Sequence, residues 1–174
     1  MIFGRKHDEH PPPVTALYQL QQKMVSIGDD YWIENGLGQR VYHVDGKVFH
    51  LRKTFVLEDA SGAELLRIQS RILRVRETMV VERGDETVAT LHKHLVGLRD
   101  RFTVDLGDAS ELHAKGDFVD HEYTIHRDDV EIANISKRWM RVRDTYGVSI
   151  VEGEDTPLLL AVVVCIDHLS HEGH

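Results

Sequence analysis

At 174 residues, with 41% hydrophobic and 29% charged side chains, the chain is long enough for one domain with a real core and too apolar for wholesale disorder. Its formal net charge of −8 excludes a general nucleic-acid coat, which needs net or clustered cation. The single cysteine, Cys165, excludes an internal disulfide; lying in an apolar run, it reads as a small buried hydrophobe rather than a reactive thiol.

In chain order, residues 1–16 read as a flexible polar tail. Met1 to His10 carries Arg5, Lys6, Asp8 and Glu9, and Pro11-Pro12-Pro13 then permits only extended, unpaired backbone. This is not the apolar segment of a secretory signal, so a cytoplasmic protein is expected, and Asn134-Ile135-Ser136 reads as a chance glycosylation pattern. Short alternating runs follow. Val41 to Val44 leads into Asp45-Gly46, which predicts a hairpin turn. Turn chemistry recurs at 58–62, 83–85, 107–108, 116–117, 128–129 and 152–153, predicting an antiparallel meander up to about residue 151. In Leu66-Arg67-Ile68-Gln69 and Leu73-Arg74-Val75-Arg76, apolar residues share one face and polar residues the other, as in strands packed on one side and wet on the other.

The chain also repeats itself. Residues 68–81 align without gaps to 91–104, and both to 135–148, around Arg76-Glu77, Arg99-Asp100 and Arg143-Asp144. The expectation is three equivalent strand–bend–strand corners of one closed sheet, with a further unit between the second and third; the spacing is too irregular for a solenoid. The last segment differs: Leu158 to Ile166 is apolar on every side and follows Asp155-Thr156-Pro157, a helix-start signal. Val162-Val163-Val164 would also suit a buried strand, but the run through Leu169 is long enough for three helical turns. Nine apolar residues fall well short of the ~20 a membrane-spanning helix needs. An all-round apolar helix must be enclosed, and a sheet closed around it does that.

Trp32-Ile-Glu-Asn35, Val41-Tyr42-His-Val44-Asp45-Gly46-Lys47, Leu51-Arg-Lys53, Leu57-Glu-Asp59, Gly62-Ala-Glu64-Leu65 and the Leu158–Ile166 run occur in an order that resembles the LURP-one-related family. That family shares the tubby C-terminal-like fold, also assigned to phospholipid scramblases. The resemblance implies a mainly β fold, a closed antiparallel β-barrel enclosing a hydrophobic C-terminal α-helix, as a single domain over 17–170 with a short tail at 171–174. It implies no catalytic residue, metal or cofactor. Tubby proteins bind phosphoinositides through cationic residues, but no tubby-specific motif maps those residues here.

Candidate ligand-binding residues come from two cationic stretches, Arg67, Arg71, Arg74 and Arg76 in one and Lys137, Arg138, Arg141 and Arg143 in the equivalent stretch of the third repeat. Arginine forks suit phosphate, so an anionic phospholipid headgroup or a phosphorylated ligand is the partner they would take. The same residues fit a solvated barrel exterior balanced by the 29 acids, which is the default for a strand's outer face. His92 and His94 share a strand face, and His168, His171 and His174 recur every three residues, yet neither set has the ligand pattern of a structural zinc site; exposed histidines are expected. Trp32 and Trp139 are expected in barrel packing. No nucleophile elbow or phosphate loop occurs. The resulting expectation is a non-enzymatic binding or scaffold module. The alternatives are a protein-interaction or structural subunit without a small ligand and, more weakly, a metal-dependent enzyme using His92 and His94.

Overall fold

In a computed structural model of the protein, residues 12–21, 30–49, 52–73, 76–96, 99–141 and 144–171 are described. Twelve strands among them run β1 (Thr15–Gln21), β2 (Tyr31–Asn35), β3 (Arg40–Phe49), β4 (Arg52–Asp59), β5 (Glu64–Leu73) and β6 (Arg76–Arg83). They continue with β7 (Glu86–Val96), β8 (Arg99–Leu106), β9 (Glu111–Asp117), β10 (Glu122–Arg127), β11 (Val130–Ser136) and β12 (Thr145–Val151). A 3-10 turn at Lys137–Trp139 joins β11 to β12, and one helix, α1 (Thr156–His171), follows. Every sequential pair of strands is antiparallel, and β1 pairs with both β2 and β12, closing the barrel. The mainly β, closed-barrel fold with a C-terminal helix is therefore the one observed.

Alternation explains the wall. On β5, Leu66 and Ile68 are fully buried while Arg67 and Gln69 face outward. Leu57, Leu91 and Val104 repeat the inward pattern on β4, β7 and β8. The helix fills the space these strands enclose: every residue from Leu159 to Ser170 is buried, so it has no wet face. Each such Leu, Ile or Val contributes roughly 1.5–3 kcal/mol by leaving water. Asp155 caps the helix, its carboxylate accepting from Leu158 N–H at 3.2 Å, and Pro157 sits in the first turn, where a missing N–H is harmless. The cap is thus one residue earlier than a Thr156 cap would be.

The barrel has two unlike rims. At the proximal rim, where α1 begins, lie the connections 36–39, 60–63, 84–85, 107–110, 128–129 and 152–155. At the distal rim, where α1 ends, lie the β5–β6, β7–β8, β9–β10 and β11–β12 bends. The three sequence repeats are the β5–β6 hairpin, the β7–β8 hairpin and the β11–β12 corner, all bending at the distal rim, with the β9–β10 hairpin as the further unit between the second and third.

Four expectations are corrected. Asp45-Gly46 makes no turn; it lies inside β3, opposite Val56 and Phe55, because an eight-residue ladder with β4 outweighs a local turn preference. Leu73 and Arg76 are cross-strand partners at a hairpin end rather than members of one strand, and Arg74 and Val75 lie outside the described residues. Neither tryptophan belongs to the core. Tyr31 and Ile33 take the inward positions of β2, which turns Trp32 out against His43 and Arg40, and Trp139 sits on the β11–β12 connection. His168 is not part of an exposed tail, since the helix carries it into the barrel, where it is buried beside Phe55. Of the tail residues, 1–11 and 172–174 lie outside the described residues, and β1 begins at Thr15.

Candidate functional site

The two cationic stretches lie on opposite walls. In the ring of strands, β5–β6 is separated from β11–β12 by five strand steps in one direction (β6 to β11) and five in the other (β5 to β12). At about 4.8 Å per strand this is roughly 24 Å of arc, too far for one small ligand to bridge along the wall. Their local settings also differ. Arg67 donates through Nε and Nη2 to both carboxylate oxygens of Glu64, at 3.1 and 2.8 Å, and its guanidinium pKa is raised by that pairing. Arg71 reaches Glu82 at 2.7 Å across the β5–β6 pair. Arg76 opens β6.

The β11–β12 connection is built around Glu122. Its Oε1 accepts from Ser136 Oγ at 3.0 Å and from Lys137 N–H at 3.2 Å, while Ser136 Oγ accepts from Arg138 N–H at 3.1 Å. Three hydrogen bonds thus fix the 3-10 turn and aim its side chains. Lys137 Nζ comes within 3.7 Å of Asp120, but Arg138 is 84% exposed and comes no closer than 3.9 Å to the already engaged Glu122. Arg141 is exposed as well, and Arg143 lies outside the described residues. Between the cations, Trp139 is 41% exposed. Gly147 on β12 makes room for it: a Cβ there would stand 2.9 Å from Met140 Cε and 3.0 Å from Trp139 Cε3. In the first stretch Arg67 and Arg71 are thus committed to neighbouring carboxylates, whereas the second presents an exposed guanidinium 3.9 Å from its carboxylate and an exposed indole.

A second polar constellation, absent from the sequence reading, lies inside the distal mouth. Asp167 is 0% exposed; its Oδ2 accepts from the Tyr146 hydroxyl at 2.6 Å, and its Oδ1 stands 3.1 Å from His121 Nε2. The His121 ring, 2% exposed, stacks on Tyr146 with centroids 4.3 Å apart. His171 Nδ1 lies 2.7 Å from the Asp167 carbonyl oxygen one helical turn back. Burial first, and then the Asp167 carboxylate, push the hydroxyls of Tyr31, Tyr123 and Tyr146 well above their ordinary value, so all three stay protonated at neutral pH. The hydroxyls of Tyr31 and Tyr123 find no hydrogen-bond partner among the described residues. Its members carry a signal in the sequence, though their meeting does not: Tyr31-x-Ile33, Tyr123-x-Ile125 and Tyr146-x-Val148 each place a tyrosine on the inward face, and Asp167 interrupts the helix at a position that needs a partner. Sealed from solvent, the cluster ties helix to wall rather than presenting a reactive group.

The remaining candidates do not converge. His92 and His94 share the outer face of β7, with rings 6.4 Å apart, and His92 Nε2 meets Asp105 at 2.9 Å. Among the described residues no group of three or more His, Cys, Asp or Glu side chains is arranged to hold a metal ion. Cys165 is fully buried, and burial pushes its thiol pKa up, which fits the inert hydrophobe expected. Among the described residues no helix is long and apolar enough to cross a membrane.

A closed antiparallel barrel threaded by an apolar C-terminal helix defines the tubby-like class of domains. Within that class the chain belongs to the LURP-one-related family, whose model matches residues 16–167. It is also similar to an Arabidopsis thaliana protein solved by X-ray crystallography, at 19% identity with a TM-score of 0.68, over 91% of this chain and 93% of that one. At that identity the likeness speaks to the fold alone. No curated protein sequence matches the chain.

Proposed function

We propose that the barrel is a non-enzymatic binding module that recognises anionic, phosphate-bearing ligands through its outward cations, of which those on the β11–β12 connection are the best placed. The observation that carries this reading is Arg138, which is 84% exposed and flanked by the exposed Trp139 and Arg141. A guanidinium without a bidentate partner keeps its fork free for phosphate, and an adjacent indole adds stacking or interfacial contact. Arg67 and Arg71 would join in by exchanging Glu64 and Glu82 for the ligand. Co-sedimentation with phosphatidylserine-containing and with neutral vesicles, across a salt series, tests it. Binding to the anionic vesicles that falls as salt rises is expected; equal, negligible binding to both would sink the proposal.

A protein-interaction subunit is the second reading. It is favoured by Leu37, 84% exposed in the β2–β3 turn, and by Val14, exposed just before the neighbouring strand β1. That reading expects a stoichiometric partner that Leu37→Glu releases and Arg138→Glu retains.

A further inference from the structure

The charges of the barrel are sorted along its axis. The six connections of the proximal rim contain seven acids, Asp85, Asp108 and Asp128 among them, and no lysine or arginine. When each strand is divided at its midpoint, the proximal half holds sixteen acids against four arginines, Arg40, Arg67, Arg83 and Arg127. By the same division the described residues of the distal half hold twelve lysines and arginines against nine acids. An overall charge of −8 therefore conceals a strongly negative end and a positive one.

Exposed apolar side chains occur at both ends: Val14, Leu37 and Val130 lie at the proximal one, Val119 and Trp139 at the distal one, and the distal pair shares its loops with Lys137, Arg138 and Arg141. Val119, 51% exposed, is in the β9–β10 bend, and Trp139 is in the connection from β11, the strand beside β10. The Lys137–Asp120 contact of 3.7 Å joins the two loops, so Val119 and Trp139 occupy adjoining loops of one rim, and Lys137, Arg138 and Arg141 share the connection that carries Trp139. Asp117, Asp120, Glu122 and Asp144 lie on or beside the same loops, with Asp120 and Glu122 set against Lys137 and Arg138. Exposed apolar side chains beside cations suit the interface of an anionic bilayer, where indole rings settle at headgroup depth and cations meet phosphate.

We infer that the protein docks end-on on an anionic bilayer, distal rim down, with Val119 and Trp139 entering the headgroup layer and the acidic proximal rim facing away. The charge separation sets the orientation. A negative surface attracts the distal rim and repels the proximal one, so a chain with net negative charge can still land in one pose. This inference rests on the anion-binding reading and adds the partner, the face and the orientation. A ligand bound to the β5 wall would instead lay the barrel on its side.

The test uses depth-dependent quenching. The chain has two tryptophans, so Trp32→Phe leaves Trp139 as the single reporter. A second reporter at the proximal rim is made by adding Trp139→Phe and Leu37→Trp, an exposed exchange that leaves the core untouched, and is scored at lipid concentrations where co-sedimentation shows it bound. Both are mixed with phosphatidylcholine–phosphatidylserine vesicles containing acyl-brominated lipid. Quenching of Trp139 with none of the Leu37→Trp reporter is expected. Vesicle binding with Trp139 unquenched, or with the proximal reporter quenched, would overturn the end-on pose and leave the anion-binding reading standing; absence of vesicle binding would overturn both. Independently of tryptophan, Arg138→Glu with Arg141→Glu should weaken binding to the same vesicles by at least about tenfold, whereas Leu37→Glu should not. Equal effects of the two changes would also overturn the pose.

Discussion

The hydroxyl of Tyr146, on the inward face of β12, donates to Oδ2 of Asp167 near the end of α1 at 2.6 Å, wholly inside the barrel. This bond and the His121 contact tie the last turns of the helix to the wall at the distal mouth. A buried carboxylate deprived of a donor keeps its desolvation cost, so Tyr146→Phe should lower stability by about 1.5–3 kcal/mol. Chemical denaturation monitored by circular dichroism measures it. A loss under about 0.5 kcal/mol would show that Asp167 does not depend on this hydroxyl.

Val163 lies midway along α1 with no exposed surface. Val163→Asp would place a carboxylate where no cation is provided, at a cost comparable to the whole stability of a domain, about 5–15 kcal/mol. The expected result is loss of the cooperative unfolding transition, while Val163→Ala folds with a loss of roughly 1–3 kcal/mol. Cooperative unfolding unchanged by Val163→Asp would refute the axial placement of the helix.

Much of this fold was readable in the sequence because its periods are simple. Leu66-Arg67-Ile68-Gln69 declares which face is inward, and a segment apolar on all sides has to be surrounded. The errors arose where a local preference met a longer ladder, or where aromatic size alone stood for burial. Asp45-Gly46 has turn chemistry but pairs across β4. Trp32 is large and aromatic but lies between the inward Tyr31 and Ile33. The candidate cations were visible as residue types, but their separation was not, because it depends on which strands lie side by side in the closed ring. The buried cluster escaped for the same reason: His121, Tyr146 and Asp167 come from a bend, a strand and the helix, and only closure of the barrel brings them together.

Gly116, at the end of β9, has φ +140, and a Cβ there would stand 2.5 Å from the Glu122 carbonyl oxygen and 2.6 Å from Tyr123 Cα. Backbone atoms cannot swing aside as a side-chain tip can, so Gly116→Ala must distort the β9–β10 pair. Gly38, with φ +75, has nothing within 4 Å, so its alanine variant meets only the backbone penalty of about 1 kcal/mol. Gly116→Ala should therefore cost at least about 2 kcal/mol more than Gly38→Ala in paired denaturation curves. Equal midpoints for the two variants would mean that the close approach of β10 is not a real constraint.

Two turn aspartates make stability depend on acid. The Asp59 carboxylate accepts from Ser61 Oγ at 2.6 Å and from the N–H groups of Ser61 and Ala63, and these bonds, the Ser61 hydroxyl first, hold its pKa below the ordinary value of 3.8. Asp108 repeats the arrangement in the β8–β9 turn, where its carboxylate accepts from Ser110 Oγ and N–H. A carboxyl group whose pKa is depressed by folding binds its proton less readily in the folded state than in the unfolded one. Its contribution is present above the unfolded value and is lost as the pH falls through that value and then through the lower folded one. Removing both hydroxyls with Ser61→Ala and Ser110→Ala should bring the folded values back toward 3.8, and stability should then fall less steeply on acidification below about pH 4. Denaturation midpoints of wild type and double variant, followed from neutral pH downward, should differ at neutral pH and converge in acid. Parallel curves would show that the turn hydrogen bonds do not distinguish the ionised from the protonated carboxyl.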